Sequence, residues 1–439
     1  MTNGPEPATL GPARPAFPPE GGPARGRPRH GPGAPPPPAS SPPAPRSPLP
    51  GALAPWRDGA LDIWRGVALL AIFINHACAG WPRRVTPLNF GFSDSADLFV
   101  LFAGYVAALA YLPGFAGWPT RRQADRPARG RALAVLRRLL AREALLYGAH
   151  LALAGFAFLL ALALAWAGRD GTASLAPWLR DPWGLLGPLL ALRYQPEYLN
   201  ILPLYCLLLP LLPGLLALAA RGRAGLALGL SATLWLAAGL SGTNLPTTPG
   251  PQGWFFNPLC WQFLFTIGFA LGTRQLRSRR AMPRHPALCW AGLAYLGLAL
   301  LAMRATGLPE PGWLAPLPDF LSVPDKHFLS LPRLLHVLAL AYVVVHSPLQ
   351  AWASRQPHHH PLALMGRHSL PVFCAGTAAA LLATALRPPG LAPFGPGGLA
   401  LDLLVLTGGL AAQLLLARWL DGRQRAATAP TLASGTVPG

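Results

Sequence analysis

An arginine and a histidine, with ten residues between them, stand inside the first apolar stretch of the chain, LDIWRGVALLAIFINH, from Leu61 to His76. An ionisable side chain within a membrane helix is costly, so its presence there is by default a functional signal. Eleven helical steps of about 100° return Arg65 and His76 to one face, about 16 Å apart along the axis. Arginine suits an anion such as phosphate, which it meets with a planar fork of donors. Histidine can accept a proton from a hydroxyl near neutral pH. The pair predicts a long, phosphate-headed donor laid along a membrane helix and pointing at a base.

The elements that must position this pair follow from the hydropathy pattern. Of the 439 residues, 52% are hydrophobic and 12% are charged; a soluble domain carries roughly 25% charged residues. The apolar residues fall in runs near the roughly 20 residues needed to cross a bilayer. We read spans at 63–81, 96–113, 143–167, 199–219, 225–241, 256–273, 287–304, 331–347, 362–386 and 398–417. The expected fold is all-α, a polytopic integral membrane bundle of about ten transmembrane helices. The stretch from Trp183 to Leu192 is too short to span and reads as re-entrant or interfacial.

The formal charge of +20 invites a nucleic-acid partner, but its placement argues against one. Only one lysine is present, Lys326; the other basic residues are arginines, and they alternate by loop. Arg121 to Arg142, Arg221 and Arg223, Arg274 to Arg284, and Arg418 to Arg425 occupy alternate loops, whereas 242–255 has no charge. By the positive-inside rule this puts both termini in the cytoplasm, Arg65 near the cytoplasmic face and His76 toward the other side. Residues 1–55, crowded with Pro, Gly, Ala and Arg, read as a disordered cytoplasmic tail, as do residues 426–439; residues 56–425 form the membrane domain. The five cysteines show no paired spacing and read as packed thiols. The run His358 to His360 lacks cysteine or acidic partners, so no metal site is expected.

Several longer blocks carry a resemblance. RDGALDIWRGVALLAIFINH followed by TPLNFGFSDSADLFVLFAGYVAALAY resembles the opening of the glucans biosynthesis protein C family. QPEYLNILPLY (195–205), WFFNPLCWQFLFTIG (254–268), DKHFLSLPRLLHVLALAY (325–342) and LMGRHSLPVFCAGT (364–377) match that family's pattern in order, so the likeness runs from Arg57 to Arg418. It implies a bacterial inner-membrane protein that transfers succinyl groups to osmoregulated periplasmic glucans, with an acyl-coenzyme A as co-substrate. The family is similar to the wider membrane acyltransferase type-three superfamily, whose marks are an Arg and a His ten residues apart, then Phe-Ser-Gly-aromatic. Arg65 and His76 match the first mark. Phe102-Ala103-Gly104-Tyr105 matches the second with Ala103 in place of Ser, a small residue that keeps close helix packing. Asp97 stands where the family more often has Glu.

Candidate roles follow. His76 would be the general base and Arg65 the grip on donor phosphate, oriented by Asp62; the pantetheine arm of coenzyme A is long enough to join them. Asp94 would hold His76 in its useful tautomer or cap the second span. Asp97 joins it as a candidate acceptor or acyl contact. Asn257, Trp261 and Gln262 would bind the acceptor, form an oxyanion hole, or bond neighbouring helices. Arg333 and His336 share a face at i, i+3; Arg333 would meet the acceptor or a succinyl carboxylate, and Arg367 the donor phosphates, with interfacial anchoring an equal account of each. Aromatic and acidic residues in 168–198 and 305–330 (Trp178, Trp183, Tyr194, Glu197, Tyr198, Trp313, Asp319, Asp325) suit sugar or an interfacial belt. O-acetylation of another glycan and glycan transport are the alternatives; no internal repeat supports the latter. Oriented reporters fused within 242–255 are expected to register outside the cytoplasm, and those within 274–284 inside it.

Overall fold

Apolar helices rich in Leu and Ala close every backbone hydrogen bond within one segment, which is what a bilayer demands of a spanning chain. The computed structural model describes residues 59–116, 128–169, 176–196, 198–250, 252–278, 281–305 and 317–428. The N-terminal tail (1–55), residues 429–439 of the expected C-terminal tail, Glu197, Trp313 and Arg121, Arg122, Arg126, Arg279 and Arg280 lie outside the described residues, whereas 426–428, read as tail, are helical. Among the described residues the chain is all-α.

Helix α1 (Gly59–Ala77) carries Arg65 and His76, and the single turn α2 (Trp81–Arg84) leads to α3 (Ser95–Ala116). α4 (Ala128–Trp166) is followed by two short helices, α5 (Ala176–Arg180) and α6 (Pro182–Leu190). α7 (Ile201–Leu208) and α8 (Leu212–Ala220) make one broken span, interrupted by a 3-10 turn around Pro210, which has no N–H to give the α ladder. Then come α9 (Ala224–Ser241), α10 (Pro258–Ser278), α11 (Pro286–Arg304) and the one-turn α12 (Asp319–Ser322). α13 (Leu331–Val345) bends by 65° into α14 (Pro348–Arg355). α15 (Pro361–Arg367) and α16 (Ser369–Leu386) meet at His368, and α17 (Pro396–Thr428) is last.

Eight of the described helices are long and apolar enough to cross a membrane, or up to nine if the bent pair α13 and α14 counts as one span. The span expected at 256–273 is α10, which does not pass on hydropathy. It packs along both α3 and α9, and residues such as Gln262, Thr266 and Thr273 are buried there. An interior helix needs no lipid-facing apolar surface, so its polar residues are tolerated where neighbours satisfy them. Two boundaries also moved. Arg129 to Arg142, read as loop, are the first turns of the 39-residue α4, where Ala, Leu and Arg all favour helix. α17 runs to Thr428, well beyond the expected 417, and so carries Asp421 back to the bundle.

Glycines set the two crossings that hold α1 and α3. A Cβ on Gly66 would meet the Leu362 carbonyl oxygen at 2.1 Å, and one on Gly366 the Asp62 carbonyl oxygen at 1.8 Å, so α1 and α15 touch backbone to backbone. A Cβ on Gly104 would meet the Phe265 carbonyl oxygen at 1.9 Å, and one on Gly268 that of Leu101 at 2.1 Å, so α3 and α10 do likewise. Close approach of this kind is how membrane helices associate without a hydrophobic drive. Close packing at the FAGY stretch is thus the work of Gly104 rather than Ala103, which faces a cavity. Replacing Gly366 by leucine is expected to lower the thermal midpoint of the detergent-solubilised protein, by about 1–3 kcal/mol of stability or more. Gly148→Leu, with nothing within 4 Å of the new Cβ, should stay within about 0.5 kcal/mol.

Candidate active site

The crossing of α1 with α15 decides what Arg65 meets. Arg65 donates to the Ser369 hydroxyl at the start of α16 and lies 3.8 Å from Asp62, one turn back on its own helix. Asp62 stands 4.0 Å from Arg367, so the carboxylate sits between two guanidiniums. Arg367 itself turns to α17: it donates to Asp421 at 2.6 Å and to the His358 carbonyl at 2.9 Å. Arg425 and His368 approach the same Asp421, at 2.8 and 3.7 Å.

Arg65 also lines a cavity of about 340 Å³ between α1, α3, α4, α7 and α16. Its walls are apolar, among them Phe99, Leu202 and Phe373, and Ala103 forms part of them. Arg142 enters the same cavity from α4 and takes part in no ion pair among the described residues. The buried Tyr205 hydroxyl, also in the cavity wall, has no hydrogen-bond partner among the described residues. Two cations, an unspent hydroxyl and a hydrocarbon wall therefore share one space. Arg367 does not line it. Arg142 was hidden because the sequence places it in an arginine-rich loop; the spacing of Leu139, Arg142 and Leu146 on one helical stripe was the available signal.

At the other end of α1, His76 lies against the ring of Tyr198, centroids 4.4 Å apart. Phe373 borders both the large cavity and a small recess around His76, Thr377 and Gln413. Tyr198 lies three residues before the start of α7, whose Ile201 and Leu202 line the cavity. Asn75 accepts a hydrogen bond of 2.5 Å from the Thr86 hydroxyl, which ties the loop after α1 to its last turn. Lys326, Asp94 and Arg83 all act electrostatically on the His76 ring.

The carboxylates beside it form a closed set. Asp97 is fully buried and receives two hydrogen bonds from Arg333, at 2.9 and 2.6 Å. Arg333 spends its remaining nitrogen on the Phe92 carbonyl at 2.8 Å and lies 3.1 Å from Asp94. Asp94 accepts from Lys326 and from the Ala96 backbone N–H at 2.8 Å, which is a cap at the start of α3. No hydrogen bond joins Asp94 to His76 among the described residues; their link is electrostatic. Burial opposes ionisation of Asp94, yet Lys326 and Arg333 together hold its carboxyl well below the usual carboxylate range. His336 bonds the Ser93 hydroxyl at 2.7 Å and packs so tightly on Gly91 that a Cβ there would lie 1.9 Å from its ring nitrogen.

The residues of α10 act one step back. Asn257 takes up the His327 carbonyl through its backbone N–H, donates its side chain to the Thr243 carbonyl at 2.8 Å, and accepts from the Leu259 N–H at 3.1 Å. Trp261 donates to the Lys326 carbonyl at 2.9 Å. Gln262 bonds the Ser231 hydroxyl and carbonyl at 2.5 and 2.9 Å, joining α10 to α9. Thus the structure brings His76, Asp94, Asp97, Arg333 and His336 to one end, sets Asn257 and Trp261 behind the loop bearing Lys326, and leaves Arg367 at the opposite end. Lys326, Arg142 and Tyr205 are neighbours of the site that the sequence did not single out, whereas Tyr198 was among the aromatic residues read as suited to sugar or an interfacial belt. Lys326 had one signal: it is the only lysine in an arginine-rich chain.

A buried charge set between membrane helices, with an arginine-lined cavity along the helix that bears a histidine, defines a multi-pass helical membrane protein with an internal site. A family model described as OpgC protein matches residues 57–425, and the chain belongs to that family. No curated protein matches it. Removing one partner of the buried pair, as in Arg333→Leu, is expected to cost about 3–5 kcal/mol, because Asp97 loses its cation and keeps only the Asp94 backbone N–H, 2.8 Å away. Detergent-phase thermal unfolding would measure it, and Arg333→Leu with Asp97→Leu should recover part of the loss.

Proposed function

We propose that this protein is a membrane-embedded O-acyltransferase that moves an acyl group, succinyl, from acyl-coenzyme A on the cytoplasmic side to a hydroxyl of a glucan on the other. The observation that carries this reading is the pairing along α1: a cavity with two arginines at one end of the helix and a histidine with charged neighbours at the other. Arg65 and Arg142 suit the phosphates of the nucleotide end, as paired guanidiniums do. The apolar wall suits the pantetheine arm, and the Tyr205 hydroxyl is free to bond one of its amides. His76 takes the proton of the acceptor hydroxyl as that oxygen attacks the thioester carbonyl. The C–S bond then breaks, an ester C–O bond has formed, and the thiolate leaves to be protonated. Family membership supports action on a glucan.

The test is mass analysis of periplasmic and surface glycans from cells with the wild-type chain, His76→Ala, Arg65→Ala or no copy, expressed at equal levels. An acyl ester of succinyl mass is expected only with the wild type. Loss of the general base should slow transfer by about 10²–10⁴-fold. Normal esterification in both variants would make the Arg65–His76 pair structural. Disappearance of the glycan itself from the periplasm, rather than of its ester, would replace the enzyme with a transporter.

A further inference from the structure

The cations around His76 differ in how much of each is already spent. Arg333 is buried, and all three guanidinium nitrogens are engaged by Asp97 and the Phe92 carbonyl. Its charge is matched by two carboxylates, Asp97 and Asp94, the latter at 3.1 Å. Arg83 is exposed on the single turn α2, where water and salt screen it. Lys326 is between these extremes. Its side chain keeps 26% of its surface open while Asp94, its partner, keeps only 6%. An ammonium has three donors, and Asp94 takes one.

The surroundings of Lys326 suit an anion flanked by aromatic faces. The ammonium lies 5.5 Å from the Phe255 ring centre and 5.4 Å from that of Phe256, so two aromatic faces flank it. Phe255 in turn packs edge-on against the His327 ring, 4.8 Å away. The backbone is fixed from behind, because the Lys326 carbonyl accepts from the Trp261 indole and the His327 carbonyl from the Asn257 N–H. Asp94 and Asp97 are balanced by Arg333 and Lys326, and Asp325, one residue before Lys326, is engaged by the His327 ring and by the backbone N–H groups of His327 and Phe328. An incoming carboxylate would form a charge-assisted bond to the half-buried ammonium.

We infer that Lys326 is a specificity-determining residue that binds the free carboxylate of a dicarboxylic acyl group while the thioester end of that group faces His76. This rests on the acyl-transfer reading above, and it moves the acyl-carboxylate role from Arg333, whose charge two carboxylates already match, to Lys326. A monocarboxylic acyl group such as acetyl has no charge to place there. The site therefore selects its donor at the acyl end, independently of the phosphate grip at Arg65 and Arg142.

The experiment compares succinyl-coenzyme A with acetyl-coenzyme A as donors to glucan, using the full chain in lipid nanodiscs. The quantity read is the ratio of kcat/KM values for the two donors. In the wild type succinyl is preferred, and in Lys326→Met that ratio falls about 100-fold, the loss expected for one charge-assisted bond. Lys326→Arg, which keeps the charge, should retain most of the preference. Should Lys326→Met fold poorly with Asp94 left under-compensated, Lys326→Met with Asp94→Asn takes its place, with the same expected ratio. An unchanged ratio in these variants, whether both rates fall together or neither does, overturns the proposal and leaves Lys326 as a partner of Asp94 alone. A wild type that transfers neither group overturns acyl transfer itself. In that event succinate binding decides the lysine: stabilisation of the wild type but not of Lys326→Met by succinate, with acetate inert, keeps the carboxylate site, and equal response overturns it.

Discussion

Three charges buried among apolar helices, Asp94, Asp97 and Arg333, are the constraint on which the His76 end depends. Asp97 has no exposed surface and sits on α3, in a segment apolar enough to span a bilayer. A lone carboxylate there would be prohibitive; it is tolerated because Arg333 meets it with two hydrogen bonds. That pairing fixes far more than one contact. It draws the start of α13 onto the start of α3, and through the Phe92 carbonyl and the Ser93–His336 bond it clamps the loop between α2 and α3. Asp94 extends the set to Lys326 and so anchors the loop before α13. His76 then faces a wall whose charges are arranged by mutual satisfaction and not by solvent.

The other end of α1 is governed by shape before charge. Gly66 and Gly366 let two backbones touch, and this contact sets Arg65 against Ser369 and within reach of Asp62. The same division of labour occurs in the FAGY stretch. Gly104 makes the crossing with α10, while its neighbour Ala103 is turned into the cavity. Adjacent residues on a helix point about 100° apart, so one small residue can serve packing and the next can leave room for a ligand. α1 is then a rigid spacer that holds Arg65 and His76 roughly three turns apart.

Much of this was legible in order of residues. The apolar runs gave an all-α membrane bundle, and the Arg65–His76 spacing gave a shared face, because helical periodicity is a local property of the chain. The spacing of Arg333 and His336 likewise placed both on one face, and both turn toward the α3 entrance. What spacing could not give was occupancy. Arg333 and Arg367 looked like available cations because nothing local reveals their partners. Arg333 is matched to Asp97 across 236 residues and Arg367 to Asp421 across 54. α10 was recognisable as a helix, but its interior position emerged only from the company it keeps.

Sequence alone determined that the chain is helical, that it belongs in a bilayer, and that a guanidinium and an imidazole lie on one face of its first span. These follow from hydrophobicity and a 3.6-residue period, which act over a few turns. Tertiary structure decided which charges are matched: Arg367 and Arg333 are taken up by carboxylates from distant helices, whereas Arg142 faces a cavity without an ion pair among the described residues and Lys326 stays partly open. The reason is that an ion pair buried between helices is fixed by packing geometry and by the need to neutralise every buried charge, conditions that involve the whole bundle at once.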